Sequence, residues 1–420
     1  MNVWLIHPGE LLPVDGDVRL NRYGILAQML SRRGHTVTIW APTFVHTRKA
    51  YRCPGEQTAW VNANYRIELL HVPGYRHHIG LQRYRFNRLL ARRFAERAPA
   101  EPSPDVILSG IPAPELCEAA VRYGQAFGVP VIVDVRDLWP DAALDYLPAW
   151  SRPAASWCLR PLVARNRRIF RGATGITGVS EGFRDWGLRH AGRKAGSNDA
   201  VFHLGYPASD SSASDKEQAR LRLAKLNVVP DGTFRCFFMA SIGSLYDLET
   251  VIAAARELQS RKVEKIQFVL CGDGPRLERL RALAEGADSV VLPGWAKAPE
   301  VDVLMEMSDI GTIPYRASMH TALPNKAVAC FSAGLPVLSS AGGEFASILE
   351  RRRCGITYQP ESVPDFVRAF ERLRCDSALR RELSRNACRF YQEELDAERV
   401  YSRMIDFLGD VARRHGRRAA

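Results

Sequence analysis

The sequence predicts an α/β chain made of two doubly wound parallel sheets in series. Three observations carry this. Short apolar runs of strand length alternate with segments of helical periodicity along most of the 420 residues. Most of those runs end in loops rich in Gly, Pro or charge, where open parallel sheets seat their ligands. Residues 208–215 (ASDSSASD) form a polar, small-residue stretch, after which the alternation starts again.

In the first half, residues 3–6 form a strand that opens into the loop HPGELLPVDGD. Ile25, Leu26, Met29 and Leu30 mark a helix over 22–33, closed by Gly34, and TVTIW (36–40) is the next strand. Gly16 in that loop would let a ligand approach the backbone. The loop is too long and irregular for the G-x-G-x-x-G fingerprint, so no nicotinamide site is expected. Segment 81–98 (LQRYRFNRLLARRFAERA) sets Phe86, Leu89, Leu90 and Phe94 on one face among six arginines. It is either a core-packed helix with a solvated face or a helix that docks on anionic lipid. Segment 150–171 mixes Trp150, Trp157, Leu159 and Leu162 with six more arginines in the same manner. Strands at 105–109 and 131–135 flank a helix over 113–127, and the second empties into Arg136, Asp137, Leu138, Trp139, Pro140 and Asp141. Charges at that place line a crevice, or else Arg136 and Asp137 pair and brace the turn. Strands at 175–180 and 200–204 complete this half.

In the second half, strands at 234–240, 266–271, 290–292 and 310–313 end respectively in Ser241–Ser244, Gly272–Pro275, Pro293–Trp295 and Pro314–Arg316. The turn Pro324, Asn325, Lys326 then opens a helix over 327–333, which Gly334 and Pro336 end before a strand beginning at 337. A helix N-terminus with a lysine in its first turn is a seat for an anion, although a plain capping turn has the same appearance. Residues 379–414 read as helical.

No apolar run approaches the ~18 residues of a spanning helix. MNVWLIHPG lacks a basic segment ahead of its apolar run, so it reads as a strand and a cytoplasmic protein is expected. The nine cysteines include no C-x-x-C pair and no zinc-like spacing, and no metal is expected. A net charge of +12 suits an anionic partner. Nucleic acid is disfavoured, because the basic segments lack a stacking pattern or a known module.

DVRDLWPD (134–141), GVSEGF (178–183), HLGYP (203–207), CGDGPRLERL (271–280), LPNK (323–326) and SAGLPVLSS followed by GGE (342–344) occur in an order and spacing that resembles the retaining family 4 glycosyltransferases of GT-B fold, in particular bacterial surface-polysaccharide and amino-sugar transferases. The resemblance covers essentially the whole chain. It implies Rossmann-like domains at 1–207 (acceptor side) and 208–395 (nucleotide-sugar side) facing each other across a cleft, with helix 396–420 packing back on the first. It implies transfer of a hexosyl or N-acetylhexosaminyl group from a nucleotide diphosphate sugar to a saccharide, lipid-linked by expectation, in surface-polysaccharide biosynthesis, without a metal and with peripheral contact at an anionic inner membrane. By resemblance, Gly243, Gly272, Asp273, Gly274, Pro275, Gly294 and Trp295 surround base and ribose; Pro324, Asn325 and Lys326 hold the phosphates; and Gly16 lies under the diphosphate. Arg136 contacts sugar or phosphate, Arg316 assists, Gly343 and Glu344 belong to the donor site, and Asp137 and Glu344 are candidate bases. Three departures stand out. The family's paired glutamates are replaced by Thr321 and Ala329, and no cation stands between Ser241 and Thr250. A non-catalytic GT-B-like subunit that binds a nucleotide sugar or partners another transferase is the alternative. A sugar-nucleotide epimerase would need a carboxylate and histidine set that is not apparent.

Overall fold

The computed structural model describes the chain except residues 17, 19, 78, 79, 318–321 and 420, and among these lies Thr321. It divides into two compact units, Met1–Gly205 with Glu398–Ala420, and Tyr206–Ala397.

The first unit holds β1 (Asn2–Ile6), β2 (Thr36–Pro42), β3 (Phe44–Val45), β4 (Ala50–Tyr51), β5 (Gln57–Asn62), β6 (Tyr65–Leu70), β7 (Val106–Ile111), β8 (Val131–Val135), β9 (Gly175–Gly178) and β10 (Ala200–Val201). Its eight-stranded sheet runs β10-β9-β8-β7-β1-β2-β6-β5, while β3 and β4 form a separate small hairpin. All neighbours in the large sheet are parallel except the edge strand β5. Helices on both faces bury the central strands, which is why these read as continuous apolar runs. Trp4 of β1 and Trp40 of β2 meet edge-on with ring centroids 5.1 Å apart. Phe94, from the helix Leu81–Arg97, packs 5.0 Å from Trp40. That helix therefore seats Phe86, Leu90 and Phe94 in the core.

A buried charge pair ties this sheet to its helices. Asp134 of β8 is fully buried, and so is Arg22 from the helix Arg22–Arg32, which meets it with a fork of two bonds at 2.9 and 3.0 Å. Thr177 of β9 donates to the same carboxylate at 2.7 Å. Arg22 also donates through Nη1 to the carbonyls of Phe202 and His203. The helix Ala397–Ala419 completes the unit: Tyr401 donates to the Gly205 carbonyl at 3.4 Å, and Phe407 packs 5.4 Å from Phe202.

The second unit holds β11 (Phe234–Met239), β12 (Ile266–Cys271), β13 (Val290–Gly294), β14 (Ile310–Ile313), β15 (Val337–Ser339) and β16 (Gly355–Thr357). They form one all-parallel sheet in the order β13-β12-β11-β14-β15-β16. Strand order reverses at β1/β7 in the first sheet and at β11/β14 in the second. Those reversals are the topological switch points of doubly wound sheets.

Two segments carry more structure than their sequence shows. Segment 379–414 is not one helix: a helix over Ser377–Phe390 runs into a π-turn at Tyr391–Leu395, and a second helix starts at Ala397. Asp396, with ψ 130°, leaves helical space, and its N–H bonds the carbonyl of Tyr391. Nor is the polar run 208–215 a loose connector. Ser209 and Ser211 both donate to Asp302 at 2.5 Å, and Ser212 caps the helix Ala213–Ala224.

Candidate functional site

In the second unit the switch point is assembled by the loops after β11, β12 and β14. Glycines let the first two loops touch. A Cβ at Gly272 would stand 1.9 Å from the Ala240 carbonyl oxygen, and one at Gly274 2.4 Å from that of Ile242. The contact is fixed by Ile242 N–H donating to Asp273 O at 2.8 Å. Gly272 N–H donates in turn to Gly294 O at 2.8 Å, which ties in the loop after β13 and leaves Trp295 exposed beside it. Asp273 accepts from Gly274 N–H, and Pro275 is exposed.

Beyond Gly243 the chain presents Tyr246, whose ring packs 5.1 Å from that of Tyr315 after β14. The backbones are joined by Asp247 N–H to Pro314 O at 2.7 Å and Arg316 N–H to Leu245 O at 3.2 Å. Lys326 reaches the same place from the first turn of the helix Asn325–Ser332, which begins with Pro324 at its N-cap. Its Nζ lies 5.0 Å from the Tyr246 ring centroid, a cation–π distance. Burial lowers the Lys326 pKa to about 8. No carboxylate pairs with it among the described residues. Asn325 beside it is exposed.

The loop after β11 carries no cation of its own, and two arginines from other loops reach it. Glu249, in the first turn of the helix Leu248–Ser260, receives Arg276 from just after Gly272–Pro275 and Arg316 at 3.0 Å. Arg316 also donates to the Ser244 carbonyl at 3.1 Å, and Arg276 lies 3.5 and 3.4 Å from the carbonyls of Gly243 and Tyr246. Two arginines and one glutamate thus clamp the loop. Sequence reasoning placed Arg316 but missed Glu249, Arg276 and Tyr246; the arginine directly after G-D-G-P was the available signal. Ala329 is fully buried inside its helix and carries no carboxylate. Gly343, with φ +64°, opens the helix Gly343–Arg352 after β15, and Glu344 is half-buried in its first turn.

In the first unit, Arg136 and Asp137 follow β8 but do not pair. Successive side chains point to opposite sides of an extended chain. Arg136 turns to Glu10 in the loop after β1 and lies 5.4 Å from the Tyr23 ring centroid. Burial alone would lower the Arg136 pKa, but Glu10, Tyr23 and Asp134 outweigh it and the net shift is upward. Arg52 braces the same loop, with bonds to Asp15 at 2.6 Å and to the Glu10 carbonyl at 2.7 Å. Gly16 follows Asp15 with φ +87°, a conformation glycine adopts freely. Burial, with Arg136 close by, pushes the His7 pKa well below the usual histidine value. His7 Nε2 and Glu10 Oε2 are buried without a hydrogen-bond partner among the described residues, so this loop keeps polar capacity that the fold does not use. Asp137 lines a separate pocket of about 140 Å³ with Arg83, Tyr84, Glu115, Trp139 and Leu162. Burial raises its pKa against the opposing pull of Arg83 and two backbone N–H groups.

Residues 22–197 match the glycosyl transferase 4-like domain, and residues 234–376 match glycosyl transferases group 1. The chain belongs to the family 4 glycosyltransferases. No curated protein matches this glycosyltransferase by sequence. Among solved structures it is similar to sucrose-phosphate synthase from Thermosynechococcus elongatus, at 17% identity over 98% of each chain with a TM-score of 0.68. WaaG, a glycosyltransferase involved in lipopolysaccharide biosynthesis, is 15% identical over 97% of this chain and 99% of its own, with a TM-score of 0.65. HepE from Anabaena, solved in complex with UDP, is 13% identical over 97% and 99%, with a TM-score of 0.64. At these identities the likeness establishes the GT-B fold of this glycosyltransferase.

Proposed function

We propose that this glycosyltransferase moves a sugar, with retention and without a metal, from a nucleoside diphosphate sugar to a saccharide acceptor. The observation that carries the reading is Lys326: a cation without a carboxylate partner among the described residues, at a helix N-terminus on a topological switch point. A departing diphosphate needs preorganised positive charge there. In the step itself the bond from sugar C1 to the phosphate oxygen breaks, the acceptor oxygen bonds C1 from the same face, and the acceptor proton passes to the leaving diphosphate. No side-chain base is required, although Asp137 and Glu344 remain candidates. A uracil base is supported by HepE, solved with UDP-glucose, and by the E. coli trehalose-6-phosphate structure with UDP-2-fluoro glucose. A lipid-linked saccharide in surface-polysaccharide assembly is the acceptor class favoured by the likeness to WaaG.

Calorimetric titration with UDP, GDP, dTDP, ADP and CMP, with and without EDTA, tests the donor half. Tight binding of one diphosphate that survives EDTA is expected; binding of none would remove the reading. Ala329, where the family carries a carboxylate, favours a second reading, a non-catalytic subunit that binds the nucleotide sugar. Diphosphate binding with no release of UDP from any UDP-sugar and acceptor pair would select it.

A further inference from the structure

We propose that the first unit docks on an anionic lipid surface through the protruding half of the helix Arg152–Gly172 and the adjoining start of the helix Leu81–Arg97. The inference is independent of which donor is bound. Three observations meet there. The first is an unpartnered apolar half-helix. The helix Arg152–Gly172 buries only Asn166, Ile169 and Phe170, all in its second half. Its first turns, together with the residues before them, carry Trp150 at 84% exposure and Trp157 at 66%.

The second is adjacency. Tyr84 lies 6.0 Å from Arg165 in ring-to-guanidinium distance, and Tyr84 and Leu162 line one pocket. The two basic amphipathic segments therefore run side by side. Leu81, at 86% exposure, and Tyr84, at 39%, extend the apolar edge at the start of the second helix. Phe86, Leu90 and Phe94 go to the core, so that helix's conventional apolar stripe is spent on folding. Leu81 and the tryptophans lie outside it.

The third is charge. Residues 146–180 contain no Asp or Glu, and neither do residues 69–95. Arg85, Arg88, Arg152 and Arg160 are exposed, and none is ion-paired among the described residues. A second copy of this surface would have to bury those like charges against one another, whereas anionic headgroups neutralise them while tryptophan sits at the headgroup level. No described helix is long and apolar enough to cross a membrane, so this is contact on one leaflet.

The test is flotation of the full chain with vesicles of phosphatidylcholine alone and of phosphatidylcholine with 30 mol% phosphatidylglycerol, a composition of roughly physiological anionic content. Binding to the anionic vesicles only, weakened by 0.5 M salt (roughly a 4 Å screening length), is expected. Trp150→Ser with Trp157→Ser should lower the partition coefficient by roughly tenfold or more. Arg152→Gln with Arg160→Gln should do the same through charge. Both pairs are exposed, so an unchanged melting temperature and unchanged diphosphate binding serve as folding controls. Failure to float, equal binding to neutral vesicles, or variants that float like the parent would overturn the proposal. A self-associated species in sedimentation velocity that the tryptophan pair dissolves would also overturn it, by assigning the surface to a second copy.

Discussion

The two switch points treat positive charge in opposite ways. In the first unit every cation named at the switch has a carboxylate of its own: Arg22 has Asp134, Arg52 has Asp15 and Arg136 has Glu10. In the second, Arg276 and Arg316 share Glu249 and Arg316 also reaches Glu361 at 3.6 Å, while Lys326 has an aromatic ring and no carboxylate among the described residues. Charge already matched within a unit shapes its loops. Charge left over is what can draw an anion, so of the two switch points the second is the one that offers the diphosphate seat we propose.

The most severe way to probe this contrast is Arg22→Met. It strands Asp134 in the sheet and should cost about 3–5 kcal/mol of stability, read from urea unfolding, with diphosphate affinity unchanged. A loss below about 1 kcal/mol would mean that the pair is not structural. Lys326→Ala is the mirror experiment. Affinity for the diphosphate should fall by about 100-fold, the value of a charge-assisted contact, and turnover should vanish while the unfolding midpoint holds. Intact binding and turnover would move the anion seat away from this helix.

Acidity sharpens the same comparison. With its pKa near 8, Lys326 is charged below that pH and neutral above it. Diphosphate affinity should fall toward tenfold per pH unit above 8, a slope that Lys326→Ala abolishes. Stability of the ligand-free chain runs the other way. The unfolded lysine keeps its proton up to about 10.4 while the folded one releases it near 8, so in that window the unfolded state binds more protons and stability rises with pH. An affinity that is level through pH 9 would contradict the buried-amine picture. The smallest effect is expected at Trp295. It is 67% exposed, and Trp295→Ala should weaken nucleoside diphosphate binding about fivefold through lost stacking, and ribose phosphates lacking a base not at all.

Much of the second unit was legible in the sequence because parallel strands buried on both faces leave unbroken apolar runs such as IQFVLC, and because the turn chemistry after them uses Gly and Pro. The edge of the first sheet was not. β5 and β6 lie in a stretch where apolar and polar residues mix and where neither Gly nor Pro marks the turn, although Asn62–Asn64 now shows why the chain reverses: Asn64 N–H is held by Asn62 Oδ1 at 3.1 Å. The site showed the same division. Lys326 could be found from its own neighbours, Pro324 and Asn325. Glu10 with Arg136 and Glu249 with Arg276 pair across 126 and 27 positions, and no local pattern encodes such partners.

The chain spends fifty arginines but only eight lysines. Guanidinium groups stay protonated and chemically inert toward mild acylating reagents, whereas an amine brought to about 8 is substantially unprotonated, and therefore nucleophilic, at pH 7.5 to 8. Lys326 is thus a chemical address. A brief exposure to an amine-directed label should mark it ahead of the solvent-facing lysines, and its shielding by a bound diphosphate would report occupancy without any need for turnover.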